Sequence, residues 1–164
     1  MIENHIDLKY LINFANKYSE KYRTAQPYPH IIIDDFFKNN IISKLVNEFP
    51  QEFTNWRRGD IVNQYNKKGY SNISKLPSSY QSALSVLQSA PLLNFLEILT
   101  NKLNLISDPL FSGGGLHNTS PGGHLKIHSD YLIHPIYNLR RKINLILFLN
   151  PTWEDAWGGN LELW

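Results

Sequence analysis

The hydrophobic period of this chain changes once, near Asp108-Pro109, and that change limits its fold more than any other feature. Upstream, apolar residues return every three or four positions, the spacing of a helix face turned to a core. Downstream they alternate, between turns expected at Pro121-Gly122-Gly123 and Trp157-Gly158-Gly159. Helices first and strands afterwards predict an α+β fold whose second part is all β.

Leu8, Leu11, Ile12, Ala15, Tyr18 and Tyr22 predict an amphipathic helix that Pro27 and Pro29 end. Residues 30–34 read as a short β-branched strand, and Phe36, Ile41, Leu45 and Phe49 as a second helix closed by Pro50. The polar stretch 51–75, with Trp56, Tyr65 and Tyr70 scattered through it, reads as loop with one or two strands. Leu84, Leu87, Leu92, Phe95, Leu96, Leu99 and Leu103 restore the helical period. The candidate cap Ser89, followed by Pro91, divides that stretch into two successive helices. Strands are then expected over residues 111–116, where three glycines suit a bulge or a close backbone approach, and over 125–130, 143–150 and 160–164.

A length of 164 residues gives one domain, helix-rich over residues 1–107 and carrying the first strands of a β core over 108–164. The net charge of +2 is too small and too dispersed for a nucleic-acid surface. Cysteine is absent, which rules out thiolate metal sites and disulfides and suits a reducing compartment. The N-terminus is polar and acidic rather than signal-like, and apolar runs fall well short of the roughly 20 residues a membrane helix needs. A cytoplasmic protein without a membrane span is the expectation.

His128 and Asp130 stand two residues apart in an alternating stretch, so on a strand both side chains leave one face, roughly 6–7 Å apart. An imidazole and a carboxylate are two of the three donors of a 2-His-1-carboxylate Fe(II) site. Alone, the pair equally suits a surface ion pair.

The wider pattern narrows the choice. Gly113-Gly114-Gly115-Leu116-His117, Gly122-Gly123, His128-Ser129-Asp130, Arg140-Arg141, Asn144, Phe148-Leu149-Asn150, Trp153 and Trp157 to Trp164 occur in that order. Together with the opening Pro27 to Phe36, this resembles the 2-oxoglutarate/Fe(II) dioxygenase superfamily, and within it the prolyl 4-hydroxylase-like branch. The resemblance implies N-terminal helices packed on a double-stranded β-helix, or jelly roll. It implies Fe(II) as metal, with His128 and Asp130 as catalytic ligands, 2-oxoglutarate as cosubstrate and ascorbate as a further candidate cofactor. His117, Asn118, Leu125, Asn144, Ile146 and Phe148 fall at cosubstrate-lining positions, although core packing accounts better for Leu125, Ile146 and Phe148 and equally well for Asn144. His134 would face substrate or cap its loop, His124 would sit at the pocket rim, and Arg140 and Arg141 read as a solvated strand end ahead of a contact to an acidic substrate.

The implied reaction hydroxylates an unactivated C–H bond in a peptidyl proline, another small molecule or a glycan. Relatives in such a family carry a distal histidine and a basic cosubstrate anchor after the Gly-Gly-Asn-Leu-Glu-Leu-Trp strand. With the sequence ending at Trp164, a C-terminally truncated, incomplete β-helix is expected, or one that a partner chain completes. The competing expectation is a non-catalytic jelly-roll binding module, with Trp153, Trp157 and Trp164 stacking on sugar rings, or a fragment that serves interaction alone.

Overall fold

Asp7 begins the first helix by chemistry local to it. Its backbone is extended, and its Oδ1 accepts the amide of Tyr10 at 2.9 Å, satisfying one of the donors that a helix N-terminus leaves open. The helix that follows, α1 (Leu8–Thr24), belongs to a computed structural model that describes residues 2–50, 57–58, 63–112 and 114–164, with only the backbone of Arg57 and Arg58. Trp56 and Gly113 therefore lie outside the described residues. The remaining elements are α2 (Asn39–Asn47), β1 (Arg57–Arg58), β2 (Gln64–Tyr70), α3 (Ser78–Leu87), α4 (Ala90–Thr100) and β3 (Leu116–Leu125). The α+β expectation holds. The chain divides into two compact units, one of residues 1–49, 73–109 and 163–164, the other of 50–72 and 110–162.

The first unit holds the helices. Leu11 and Ala15 of α1 are fully buried together with Ile6, and α1 packs along α4, whose Leu92, Phe95 and Leu99 supply the facing apolar stripe. Phe36 bridges this core, its ring 5.3 Å from Phe37 and 6.3 Å from Phe95. The break between α3 and α4 falls where expected, with Ser89 in the cap position and Pro91 in the first turn. The Ser89 hydroxyl nevertheless donates backward to the Val86 carbonyl at 2.7 Å, so it closes α3 and leaves the start of α4 uncapped by its side chain. Residues 30–34 form no strand, and Ile32 is 81 % exposed. Three isoleucines supply β propensity, but a strand also needs a neighbouring edge to pair with.

The second unit is built on the antiparallel order β1-β2-β3. Tyr70 pairs with Leu116, Gly69 with His117, Lys68 with Asn118 and Lys67 with Thr119; beyond a bulge the register resumes with Tyr65 against His124. The expected turn at Pro121-Gly122-Gly123 is absorbed into β3 at that irregularity, opposite Asn66, whose φ is +48°. Gly115 has to be glycine: its φ is +105°, and a Cβ there would stand 2.2 Å from the Tyr70 carbonyl oxygen.

Three further expectations are corrected. Residues 126–130, 143–150 and 160–164 run without a ladder among the described residues; one backbone bond from Lys126 to the Asn63 carbonyl, 2.8 Å, ends the sheet. Alternation or a short apolar run marks these segments as able to pair, and pairing is what makes a strand. Among the described residues, no single helix is long and apolar enough to cross a membrane.

Candidate metal site

The end of the sheet is also where the site begins. Once the Lys126 amide has bonded to Asn63, its carbonyl turns to the imidazole of His128, 2.8 Å from Nδ1. A carbonyl oxygen only accepts, so Nδ1 carries the hydrogen, and in a neutral ring Nε2 is left with its lone pair exposed. That nitrogen lies beside Asp130, with Nε2 and Oδ1 3.5 Å apart. Two electron-rich atoms held this close repel each other unless a cation stands between them. A proton on Nε2 or a divalent metal ion removes the repulsion equally well. The donor set, one imidazole nitrogen and one carboxylate oxygen, fits Fe(II). Among the described residues, no group of three or more His, Cys, Asp or Glu side chains is placed to hold a metal.

The other oxygen of Asp130 is occupied. Oδ2 accepts the Asn144 amide, Nδ2, at 2.7 Å and lies 3.3 Å from Nη2 of Arg141. Arg141 in turn donates through Nε, at 2.8 Å, and through Nη2 to Oδ1 of Asn144. Its guanidinium lies over the Tyr131 ring, 4.9 Å from the centroid, while the Tyr131 hydroxyl donates to the Ser112 carbonyl.

All of these residues except Asn63 and Ser112 fall in one segment that is similar to a known family. Residues 114–164 match the 2OG-Fe(II) oxygenase superfamily. The match spans about a third of the chain, and that family in general uses Fe(II) and 2-oxoglutarate. No curated protein and no solved structure matches the chain.

Every candidate site residue lies within the oxygenase-like segment, but the structure does not gather them all. Asn144 joins His128 and Asp130, its amide bonded to the carboxylate. His117 lies opposite Gly69 on β3, with its ring over the space a Gly69 side chain would take; partial desolvation, and then the Lys67 ammonium, lower its pKa. Asn118, opposite Lys68, leaves the other face of the strand. Leu125, Ile146 and Phe148 are open to solvent, Phe148 at 64 %.

The remaining histidines take structural places. His124 stacks on its cross-strand partner Tyr65, with centroids 6.0 Å apart, rather than following His128 along one strand. His134 is buried and caps its own loop, Nδ1 accepting the amides of Ile136 and Tyr137 at 3.2 and 3.1 Å. Trp153 packs edge-on against Trp157 and over Gly159, and its indole donates to the Gly158 carbonyl at 2.9 Å.

Arg141 is the residue that sequence reasoning missed. Expected as a solvated strand end, it is instead bonded to both Asn144 and Asp130. The available signal was the Arg141-x-x-Asn144 spacing, three residues, which a strand reading places on opposite faces.

Proposed function

We propose that this protein is a 2-oxoglutarate- and Fe(II)-dependent oxygenase that hydroxylates an unactivated C–H bond. One observation carries the reading: within the segment similar to the oxygenase family, the lone-pair nitrogen of His128 faces Oδ1 of Asp130 at 3.5 Å. His128 and Asp130 would hold the metal, which when bound supplies oxygen activation that side chains alone cannot. The chain's own work is then to fix the imidazole through the Lys126 carbonyl and to keep one carboxylate oxygen facing it. The resemblance also offers His117, Asn118, Leu125, Asn144, Ile146 and Phe148 for the cosubstrate, and of these Asn144 is the one bonded to the metal pair.

The finer reading is a prolyl 4-hydroxylase-like member on a double-stranded β-helix, acting in the cytoplasm on a peptidyl proline, another small molecule or a glycan. Ascorbate would serve as reductant, and a partner chain could complete the β-helix. The loop of residues 131–140, next to Asp130, is the natural place for substrate choice.

The test is anaerobic calorimetric titration of Mn(II), a redox-silent stand-in for Fe(II), into the 164-residue chain with and without 2-oxoglutarate. Binding that 2-oxoglutarate strengthens and His128→Ala abolishes supports the proposal. Mn(II) affinity that is equal in wild type and His128→Ala, or indifferent to 2-oxoglutarate, rejects it.

A further inference from the structure

We infer that Arg141 and Asn144 are positioning residues that set the rotation of the Asp130 carboxylate, an inference that rests on reading His128 and Asp130 as the metal pair. The geometry runs one way. Nε and Nη2 of Arg141 are both donors and both meet Asn144, so the atom they meet has to be the amide oxygen; an amide nitrogen cannot accept them. That fixes the orientation of the Asn144 amide and turns its Nδ2 onto Oδ2 of Asp130 at 2.7 Å. Arg141 adds its own Nη2 to the same oxygen at 3.3 Å. With Oδ2 held by two donors, Oδ1 is the oxygen left to face His128.

The clamp is itself anchored. The Arg141 amide donates to the Leu132 carbonyl at 2.8 Å, and Ile133 bridges to Arg140, which brings the clamp residues back beside Asp130. The Tyr131 ring supports the guanidinium from below and is tied through its hydroxyl to Ser112. A guanidinium this constrained differs from a free surface charge, because its fork has one arrangement that serves both acceptors.

Two effects of Arg141 on a metal oppose each other. Its positive charge reduces the attraction of Asp130 for a cation, whereas its fork presents the carboxylate already turned. The site is half-exposed, so the charge effect is damped by water and the positioning effect dominates. Lysine keeps the charge and loses the fork, which separates the two. Arg141→Lys and Asn144→Ala should each weaken Mn(II) binding about 10- to 100-fold, the usual consequence of losing a group that orients a metal ligand.

The experiment titrates Mn(II) into wild type, His128→Ala, Arg141→Lys and Asn144→Ala, following the free Mn(II) signal by electron paramagnetic resonance. A nitrogen-15 NMR spectrum of each checks that the fold is kept, and the Arg141 Nε–H signal, slow to exchange in the metal-free wild type, should become fast in Asn144→Ala. Wild-type affinity in both clamp variants, with binding lost only in His128→Ala, overturns the clamp and leaves the metal pair standing. Equal binding in wild type and His128→Ala overturns the metal pair and the clamp with it. Weakened binding in both clamp variants, with folds intact, is the result expected.

Discussion

Tyr80→Phe removes one oxygen atom, and its cost can be worked from three carbonyls. The last turn of α2 leaves several carbonyl groups without helical partners. The Lys44 carbonyl takes the Glu48 amide and the Val46 carbonyl takes the Phe49 amide, while the Leu45 carbonyl takes the Tyr80 hydroxyl from α3 at 2.5 Å. Tyr80 is 3 % exposed, so water does not replace the lost donor. A net hydrogen bond contributes about 1 kcal/mol and a stranded buried acceptor costs about 1–3 kcal/mol, giving a loss of about 2 kcal/mol. With a urea slope of about 2 kcal/mol/M, the midpoint of unfolding at pH 7 should fall by about 1 M.

The same hydroxyl makes a second, independent prediction. Burial first, and the Glu48 carboxylate second, push the Tyr80 pKa from its ordinary value of 10.0 up to about 12. The unfolded chain therefore gives up this proton at a lower pH than the folded one. The stabilising contribution is complete below pH 10 and is lost as pH rises towards about 12. Wild type should lose stability across that window faster than Tyr80→Phe, so the two urea midpoints converge. Identical midpoints at pH 7 and parallel alkaline slopes would refute the assignment of Tyr80 as the α2 cap.

Phe95→Ala, at a fully buried position against Phe36, should cost about 3–5 kcal/mol in urea unfolding; a loss under 1 kcal/mol would mean the helical core is not centred there. His117 should titrate by NMR below its ordinary 6.5, and Lys67→Met should restore only part of the shift, since burial is the larger cause. Its stabilising contribution is present above pH 6.5 and is lost as pH falls through the depressed folded value. Ring nitrogen-15 shifts of neutral, metal-free His128 should report the hydrogen on Nδ1; a hydrogen on Nε2 would remove the argument that a lone pair faces Asp130.

The helices were legible because each carries its own evidence. Apolar spacing and a dividing Pro91 act within a few residues, and the hydrogen bonds of a helix close locally. The strands were legible only as capacity. Residues 143–150 form an apolar run that reads as a strand, yet among the described residues it is β2 that has a neighbour. Nothing in a segment's own composition says whether an edge will be present to receive it.

The site divides along the same line. His128 and Asp130 were paired in the sequence because an even separation is a local fact, and their side chains do approach to 3.5 Å although the segment forms no ladder among the described residues. Parity hid the partners of Asp130. Arg141 and Asn144 stand three apart, and strand logic assigns them to opposite faces; off the ladder, that separation is no obstacle. Their arrival at Asp130 depends instead on the return of the chain through residues 131–140, which is registered by Ile133 against Arg140. The register is set inside the loop. The His134 amide donates to the Leu139 carbonyl at 2.7 Å, and the buried His134 ring accepts two loop amides. One residue more or fewer in that turn would carry Arg141 away from Leu132 and from the carboxylate it holds. His134 thus acts on the site as the cap that fixes where Arg141 lands.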